Sequence, residues 1–366
     1  MGGSSTGKIF TVTTWGESHG AAIGAVVDGC PSGIPLSPAD FAADMSRRKP
    51  KDFTASTSRV EADTVEILSG VFEGVTTGTA ISLLIRNENV KSGDYSNVKD
   101  TYRPGHADFT YDQKYGFRDY RGGGRSSGRE TAARVAAGVI AKKILEKVGV
   151  SFLSYVSEIA GIKADYRRFD ANEAEKTPYF MPDKIAAEKV AIFLNGDSSG
   201  NSYGGIVECV ISGVPVGLGE PVFDKLDAAL SAALFSIGAV KGVEVGAGFY
   251  SARSTGEKNN DEFALKRGKP AKATNNAGGI SGGMSDGSDI ILRCAVKPTP
   301  SISLPQKTID QAGNEREITI NGRHDKVIAP RAVVVAEAMA AIVLTDYLFI
   351  NMSSRIDKIE SFYKNI

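Results

Sequence analysis

The chain is 366 residues long, with 42% hydrophobic and 23% charged side chains, a globular balance with enough apolar material for a large buried core. Lys plus Arg and Asp plus Glu both number 43, so the net charge is zero. That excludes the basic excess of a dedicated nucleic-acid binder and makes any basic site local, suited to a small anion.

The N-terminal stretch MGGSSTGKIF has no apolar run, so no signal peptide is expected. A first strand is predicted at Ile23–Val27, followed by a helix over Pro38–Arg48 with Ser37 as its N-cap and proline at its first position. Strands follow at Val65–Leu68 and Ala80–Ile85, then a long loop, Arg86–Arg125, dense in Gly, Arg, Asp and Tyr. A second helix starts at Ser127, where Ser127-Gly-Arg-Glu130 reads as a capping box, and stops at Gly149. A strand at Ile206–Ile211 and a helix at Phe223–Ile237 come next. The polar stretch Tyr250–Asn276 reads as a second long loop, its part from Arg253 a mobile lid whose Lys258, Lys266, Arg267 and Lys272 close over an anion. A strand at Ile290–Val296 and a last helix from Pro330 to about Phe349 complete the series.

The second and last helices are apolar and Ala-rich on most sides, which places them in the interior. The last has the hydropathy of a membrane span, but Arg331, Glu337 and Asp346 argue against one. No composition break divides the chain. The expectation is one domain, residues 1–366, of α+β class, with layers of sheet, helix and sheet. The three cysteines, Cys30, Cys209 and Cys294, form neither a metal motif nor a disulfide framework and read as small core hydrophobes in a reducing, cytoplasmic setting.

Chemistry gathers around three histidines, His19, His106 and His324, in the contexts GESHG, RPGHAD and GRHD. Each lies near glycine and beside a carboxylate or arginine, and histidine can both give and take a proton near neutrality. Arginines crowd the same segments: Arg47 and Arg48, Arg103, Arg121, Arg125 and Arg129, Arg323 and Arg331. Glycine allows close backbone approach and arginine binds carboxylate or phosphate bidentately. The run Gly122-Gly-Gly-Arg-Ser-Ser-Gly128 leads into a helix N-terminus, an anion site that is neither a Walker loop nor a dinucleotide fingerprint. AGGISGGM and Val296-Lys-Pro-Thr-Pro-Ser301 are further small-residue loops suited to a phosphate or a heterocycle.

GESHG, RPGHAD, KYGFRDYRGGGRSSGRETAARVAAG, AGGISGGMSDG and GRHD, in this order over roughly Gly7 to Phe349, resemble chorismate synthases. The resemblance implies a sandwich of antiparallel β-sheets around central buried α-helices, assembled as a homotetramer. It implies conversion of 5-enolpyruvylshikimate 3-phosphate to chorismate and phosphate, an anti 1,4-elimination requiring reduced FMN without net redox change. By motif position, His106 is the implied donor toward the departing phosphate or the flavin and His19 a proton manager at the flavin. Asp325 works with the flavin N5 as the ring proton is taken, and Ser18 and Ser127 support this network. Implied flavin contacts are Arg125, Ser126, Ser127, Gly238, Ala239, Gly282, Lys297, Pro298, Thr299, Pro300, Ser301 and Arg323. Implied substrate contacts are Arg48, Arg103, Arg129 and Arg331.

Three positions depart from the family pattern. Thr54 stands where many relatives carry an arginine associated with substrate or nicotinamide (NADP) phosphate. Gly238 replaces an asparagine found in some relatives, and Pro300-Ser301 replaces a frequent Ser-Ser pair. With Thr54 and no visible insertion, the implied enzyme is monofunctional and takes reduced FMN from an external flavin reductase. A true flavin oxidoreductase shares the flavin loops but consumes nicotinamide. An RNA-binding module fits poorly with zero net charge and three clustered histidines. No metal and no membrane partner is expected.

Overall fold

A computed structural model describes residues 2–49, 61–88, 99–266, 268–320 and 325–364. Two five-stranded antiparallel sheets form its outer layers. The first contains β1 (Ser5–Thr6), β2 (Thr11–Gly16), β3 (Ala22–Asp28), β4 (Val65–Ile67) and β5 (Ile81–Arg86), in the order β1-β2-β3-β5-β4. The second contains β6 (Ser151–Ile159), β7 (Ile162–Lys163), β8 (Gly205–Ser212), β9 (Val240–Val245) and β10 (Ile290–Val296), in the order β9-β10-β8-β6-β7. Alternation selects each inner face. Val12 pairs with Val27 and Ile23 with Ile85, all buried. Val207 pairs with Cys294 and Cys209 with Leu292 on the inner face of the second sheet. Burial pushes both thiols up to about 12, so they pack as inert hydrophobes, as expected.

The helices are α1 (Ala42–Arg48), α2 (Asp108–Tyr115), α3 (Thr131–Glu146), α4 (Ala171–Lys176), α5 (Lys184–Gly196), α6 (Leu226–Phe235), α7 (Gly256–Asn259), α8 (Ala329–Asn351) and α9 (Ile356–Lys364). The middle layer is α3 against α8: α3 packs on β3 and β5, and α8 on β6 and β8. A Cβ added at Gly138 would lie 2.4 Å from the Ala338 methyl, so glycine sets how closely these helices cross. Helix α8 is long and apolar enough to cross a membrane, yet 83% of its most apolar stretch is buried inside the protein. The charges that spoke against a membrane span latch it into the core. Glu337 accepts from Arg47, Lys142 and the Ser154 N–H. Asp346 accepts the backbone N–H groups of Lys8, Ile9 and Phe10. The sheet–helix–sheet expectation holds.

Several local expectations are corrected. The first helix opens as a 3-10 turn, Pro38–Phe41, before α1. The third helix begins at Leu226, because Phe223 is 94% exposed and has nothing to pack against. Arg86–Arg125 is not all loop: Asp108–Tyr115 is helical and ends on Gly116 at φ +69°. Tyr250–Asn276 is not a bare loop either. It holds α7 and a hairpin, Phe263–Lys266 with Lys269–Lys272. Lys272, expected as a closing cation, is a buried partner of Asp286 and Ser281. Ser127 caps the next turn by accepting from the Arg129 N–H, but Glu130 does not complete a capping box. Its carboxylate binds the Thr14 hydroxyl and Arg134 instead.

Candidate active site

The site lies where loops from both sheets meet the N-terminus of α3. One end is a buried ion cluster. Asp63, at the start of β4 with φ +55°, receives hydrogen bonds from Arg48 and Arg129, and all three side chains are almost fully buried. Burial pushes the Asp63 carboxyl up, but the two guanidinium groups outweigh it and hold the carboxyl below its ordinary range. Burial pulls Arg48 down to about 10 against the attraction of Asp63, and the nearby charges of Arg331 and Arg129 add to that pull. Two cations therefore converge on one carboxylate, with a third, Arg331, close enough to act on Arg48. Arg331 in turn donates to Asp325 at 2.8 Å, and Asp325 is itself buried. The Arg48 Nε is buried with no hydrogen-bond partner among the described residues.

His19 sits on the turn after β2. Its Nδ1 lies 3.0 Å from the Ser18 hydroxyl, and the Gly20 N–H closes the turn on the Glu17 carbonyl at 3.1 Å. Asp119 is close enough for the His19 charge to help lower its carboxyl, although its bond with Arg121 does more. Gly122 packs against the imidazole. Its φ is +124°, and a Cβ there would lie 2.5 Å from His19 Cε1 and Nδ1. Two requirements thus coincide on one glycine.

His106 sits on a second turn, Arg103 to Asp108. Arg103 spans it, donating twice through its side chain and once through its backbone N–H to Asp108, and again to the Gly122 carbonyl at 3.1 Å. Arg118 adds a second cation 3.0 Å from Asp108. Expected as a substrate contact, Arg103 is observed holding the His106 turn against the His19 neighbourhood. The His106 Nε2 is 3.0 Å from the Ser301 hydroxyl, and Lys297 donates to the Gly105 carbonyl at 2.9 Å. Lys297 N–H also bonds the carbonyl of Ala239, a residue at φ +73°. A Cβ at Gly238 would meet only the Ser126 carbonyl, at 3.9 Å. A chain of contacts thus links the expected flavin residues Ser126, Gly238, Ala239, Lys297 and Ser301 to the His106 turn.

The donors gathered here suit a phosphorylated, hydroxyl-rich ligand such as FMN. The Thr299 hydroxyl is buried without a hydrogen-bond partner among the described residues, a state costing roughly 1–3 kcal/mol unless a ligand satisfies it. The open backbone at Gly238 leaves room beside the Ser126 carbonyl. Pro298 packs on Gly204, and the Thr299 carbonyl accepts from Ser202, which fixes this loop. Two expected contacts stand differently. The Arg125 guanidinium turns inward to the Thr14 hydroxyl and carbonyl and to the Gly16 carbonyl, so it braces β2. Gly282 lies in a hairpin turn whose neighbour Gly283 bonds Leu226, not the histidine loops. Arg323, His324, Thr54 and Arg267 lie outside the described residues. Sequence reasoning missed Asp63, Asn87 and Asp108. Asp108 closes the RPGHAD motif and was in plain view. Asp63 and Asn87 flank strands and carry no local signal.

The sequence profile of chorismate synthases matches residues 10–349. The chain is 54% identical over 365 residues to a chorismate synthase of Lachnospira eligens and 55% identical over 367 residues to one of Agathobacter rectalis, each covering 100% of both chains. A chorismate synthase of Methanosarcina mazei is 53% identical over 95% of this chain and 96% of its own. A crystal structure of chorismate synthase superposes with a TM-score of 0.75 at 30% identity, covering 98% of both chains. On the clustered arginines, the two histidine turns and these matches, the chain belongs to the chorismate synthase family and is an enzyme of the shikimate pathway.

Proposed function

We propose that the chain converts 5-enolpyruvylshikimate 3-phosphate to chorismate and phosphate by an anti 1,4-elimination that requires reduced FMN and does not consume it. The observation that carries this reading is that two of the buried side-chain atoms without a hydrogen-bond partner among the described residues fall in this site, Arg48 Nε in the cation cluster and Thr299 Oγ1 in the loop beside His106. One suits a substrate anion and the other a cofactor hydroxyl or phosphate. Arg48, Arg129 and Arg331 neutralise the phosphate and carboxylates of the substrate, which could not enter a low-dielectric site unpaired. His106 donates a proton toward the departing phosphate, and His19, oriented by Ser18, manages the second proton. Asp325, held by Arg331, accepts or relays the proton leaving the ring. Ser127 fixes the N-terminal turn that presents Arg129.

Ser126, Ser127, Gly238, Ala239 and Lys297 to Ser301 would hold FMN, with Arg323 as a further contact. When bound, reduced FMN supplies electron density that helps expel phosphate and then recovers it. The protein's own part is to exclude water, orient the reactants and place the protons. The working form is a homotetramer of one-domain chains, cytoplasmic, supplied with reduced FMN by a separate reductase. Thr54 in place of an arginine supports that dependence. An anaerobic assay with reduced FMN, oxidised FMN and no flavin tests the reading: chorismate absorbance should grow only with the reduced form. Equal growth without flavin would sink it.

A further inference from the structure

One residue outside both histidine turns touches the whole arrangement. Asn87 follows the last residue of β5, half-buried, and its N–H bonds the Ala21 carbonyl at 3.1 Å, which extends the β3–β5 ladder past the strand. Its carboxamide makes three bonds. Nδ2 donates to the Glu17 carbonyl at 3.0 Å and to the Gly20 carbonyl at 2.8 Å, the two ends of the turn bearing Ser18 and His19. Oδ1 accepts from Arg129 Nε at 2.9 Å. The amide orientation follows from its partners: flipped, it would set oxygen against two carbonyl oxygens and nitrogen against a guanidinium donor.

Arg129 is otherwise held by Asp63 and by the Arg86 carbonyl at 3.1 Å, both beside the same sheet edge. Asn87 is thus a direct hydrogen-bonded link between the turn that carries His19 and the guanidinium that leads, through Asp63, to Arg48. We infer that Asn87 is a positioning residue that fixes the His19 imidazole relative to the Arg129 anion site. It acts through those two residues and handles neither proton nor substrate. The inference rests on the roles proposed above for His19 and Arg129.

The two arms of the amide can be cut separately. Asn87→Asp keeps an acceptor for Arg129 but faces the Glu17 and Gly20 carbonyls with oxygen, releasing the His19 turn alone. Asn87→Ala releases both. Because a misplacement near 1 Å costs on the order of 10²-fold in rate, Asn87→Asp should lower kcat by about that factor and leave KM within about threefold. Asn87→Ala should lower kcat similarly and also raise KM. An independent readout uses the flavin-free full-length chain, labelled at its three histidines and assigned with His19→Ala. In Asn87→Ala, the His19 ring resonances and their pH titration should move while those of His106 stay. This titration is readable even if the parent makes no chorismate, so failure of the functional reading is seen in the parent and failure of the inference in the His19 spectrum. Unchanged His19 signals, equal movement of His19 and His106, or Asn87→Asp turnover within twofold of the parent would overturn the inference. If Asn87→Asp does not fold, Asn87→Ala and the imidazole titration decide.

Discussion

Replacing Asp63 with asparagine removes one buried charge and almost no volume. The Asp63 side chain is 0% exposed, and its partners Arg48 and Arg129 are each 4% exposed. Arg331 adds a third positive charge to Arg48's surroundings. Without the carboxylate Arg48 and Arg129 lose their common counter-ion, and breaking such a buried pair costs roughly 3–5 kcal/mol. Over 366 residues the unfolding entropy is about 0.8 kcal/mol per kelvin, so Asp63→Asn should lower Tm by about 4–7 °C. The deficit should shrink when a multiply charged anion supplies the missing counter-charge. Calorimetry of parent and variant, with and without 5-enolpyruvylshikimate 3-phosphate, measures both terms. A variant that melts within 1 °C of the parent, or whose substrate-induced gain is no larger than the parent's, would refute the view that Asp63 is the counter-ion of a substrate-ready cation cluster.

The same carboxylate carries a pH signature. Its folded pKa is depressed, so its stabilisation is present above the unfolded value of about 3.9 and is lost as pH falls through the lower folded value. The Tm gap between parent and Asp63→Asn should be constant from pH 5 to 8 and close below about pH 4. Gly122→Ala would drive a methyl to 2.5 Å from the His19 ring and should cut kcat on the order of 10²-fold, whereas Gly196→Ala, with nothing within 4 Å, should leave it unchanged. His19→Ala and His106→Ala should each lower turnover by roughly 10²–10⁴-fold with smaller effects on substrate affinity, and Arg48→Ala or Arg129→Ala should weaken substrate binding most; steady-state kinetics and equilibrium titration separate the two classes. Native trypsin should spare Lys272, buried on Asp286, and Lys272→Ala should expose new cleavage in the hairpin; peptide mapping reads this.

Much of the fold was legible because burial leaves a simple pattern. Helices α3 and α8 are apolar all round since they are the middle layer, and the β3, β5 and β8 runs are β-branched since one face of each packs on them. The histidine turns were legible because histidine, glycine and arginine are jointly unusual in short runs. What escaped depends on distant partners. Glu130 stands three residues after Ser127, as a capping box demands, yet Thr14 and Arg134 claim it. Arg103 and Arg125 look like ligand contacts by motif, but Asp108 and Thr14 occupy their guanidinium groups. Asp63 and Asn87 matter only because the turn before α3 brings Arg129 across to them, and spacing along the chain carries no trace of that. The hairpin at Phe263–Lys272 was hidden by its lysines, since a strand pair at the surface needs no apolar alternation.

The central claim is lyase chemistry with a cofactor that is required but not spent, and product counting tests it most directly. Under strict anaerobiosis, with a trace of reduced FMN and excess 5-enolpyruvylshikimate 3-phosphate, chorismate and phosphate should appear in equal amounts through many turnovers per flavin, with the flavin still reduced at the end. One flavin oxidised for each chorismate formed, or phosphate released without chorismate, would contradict the account.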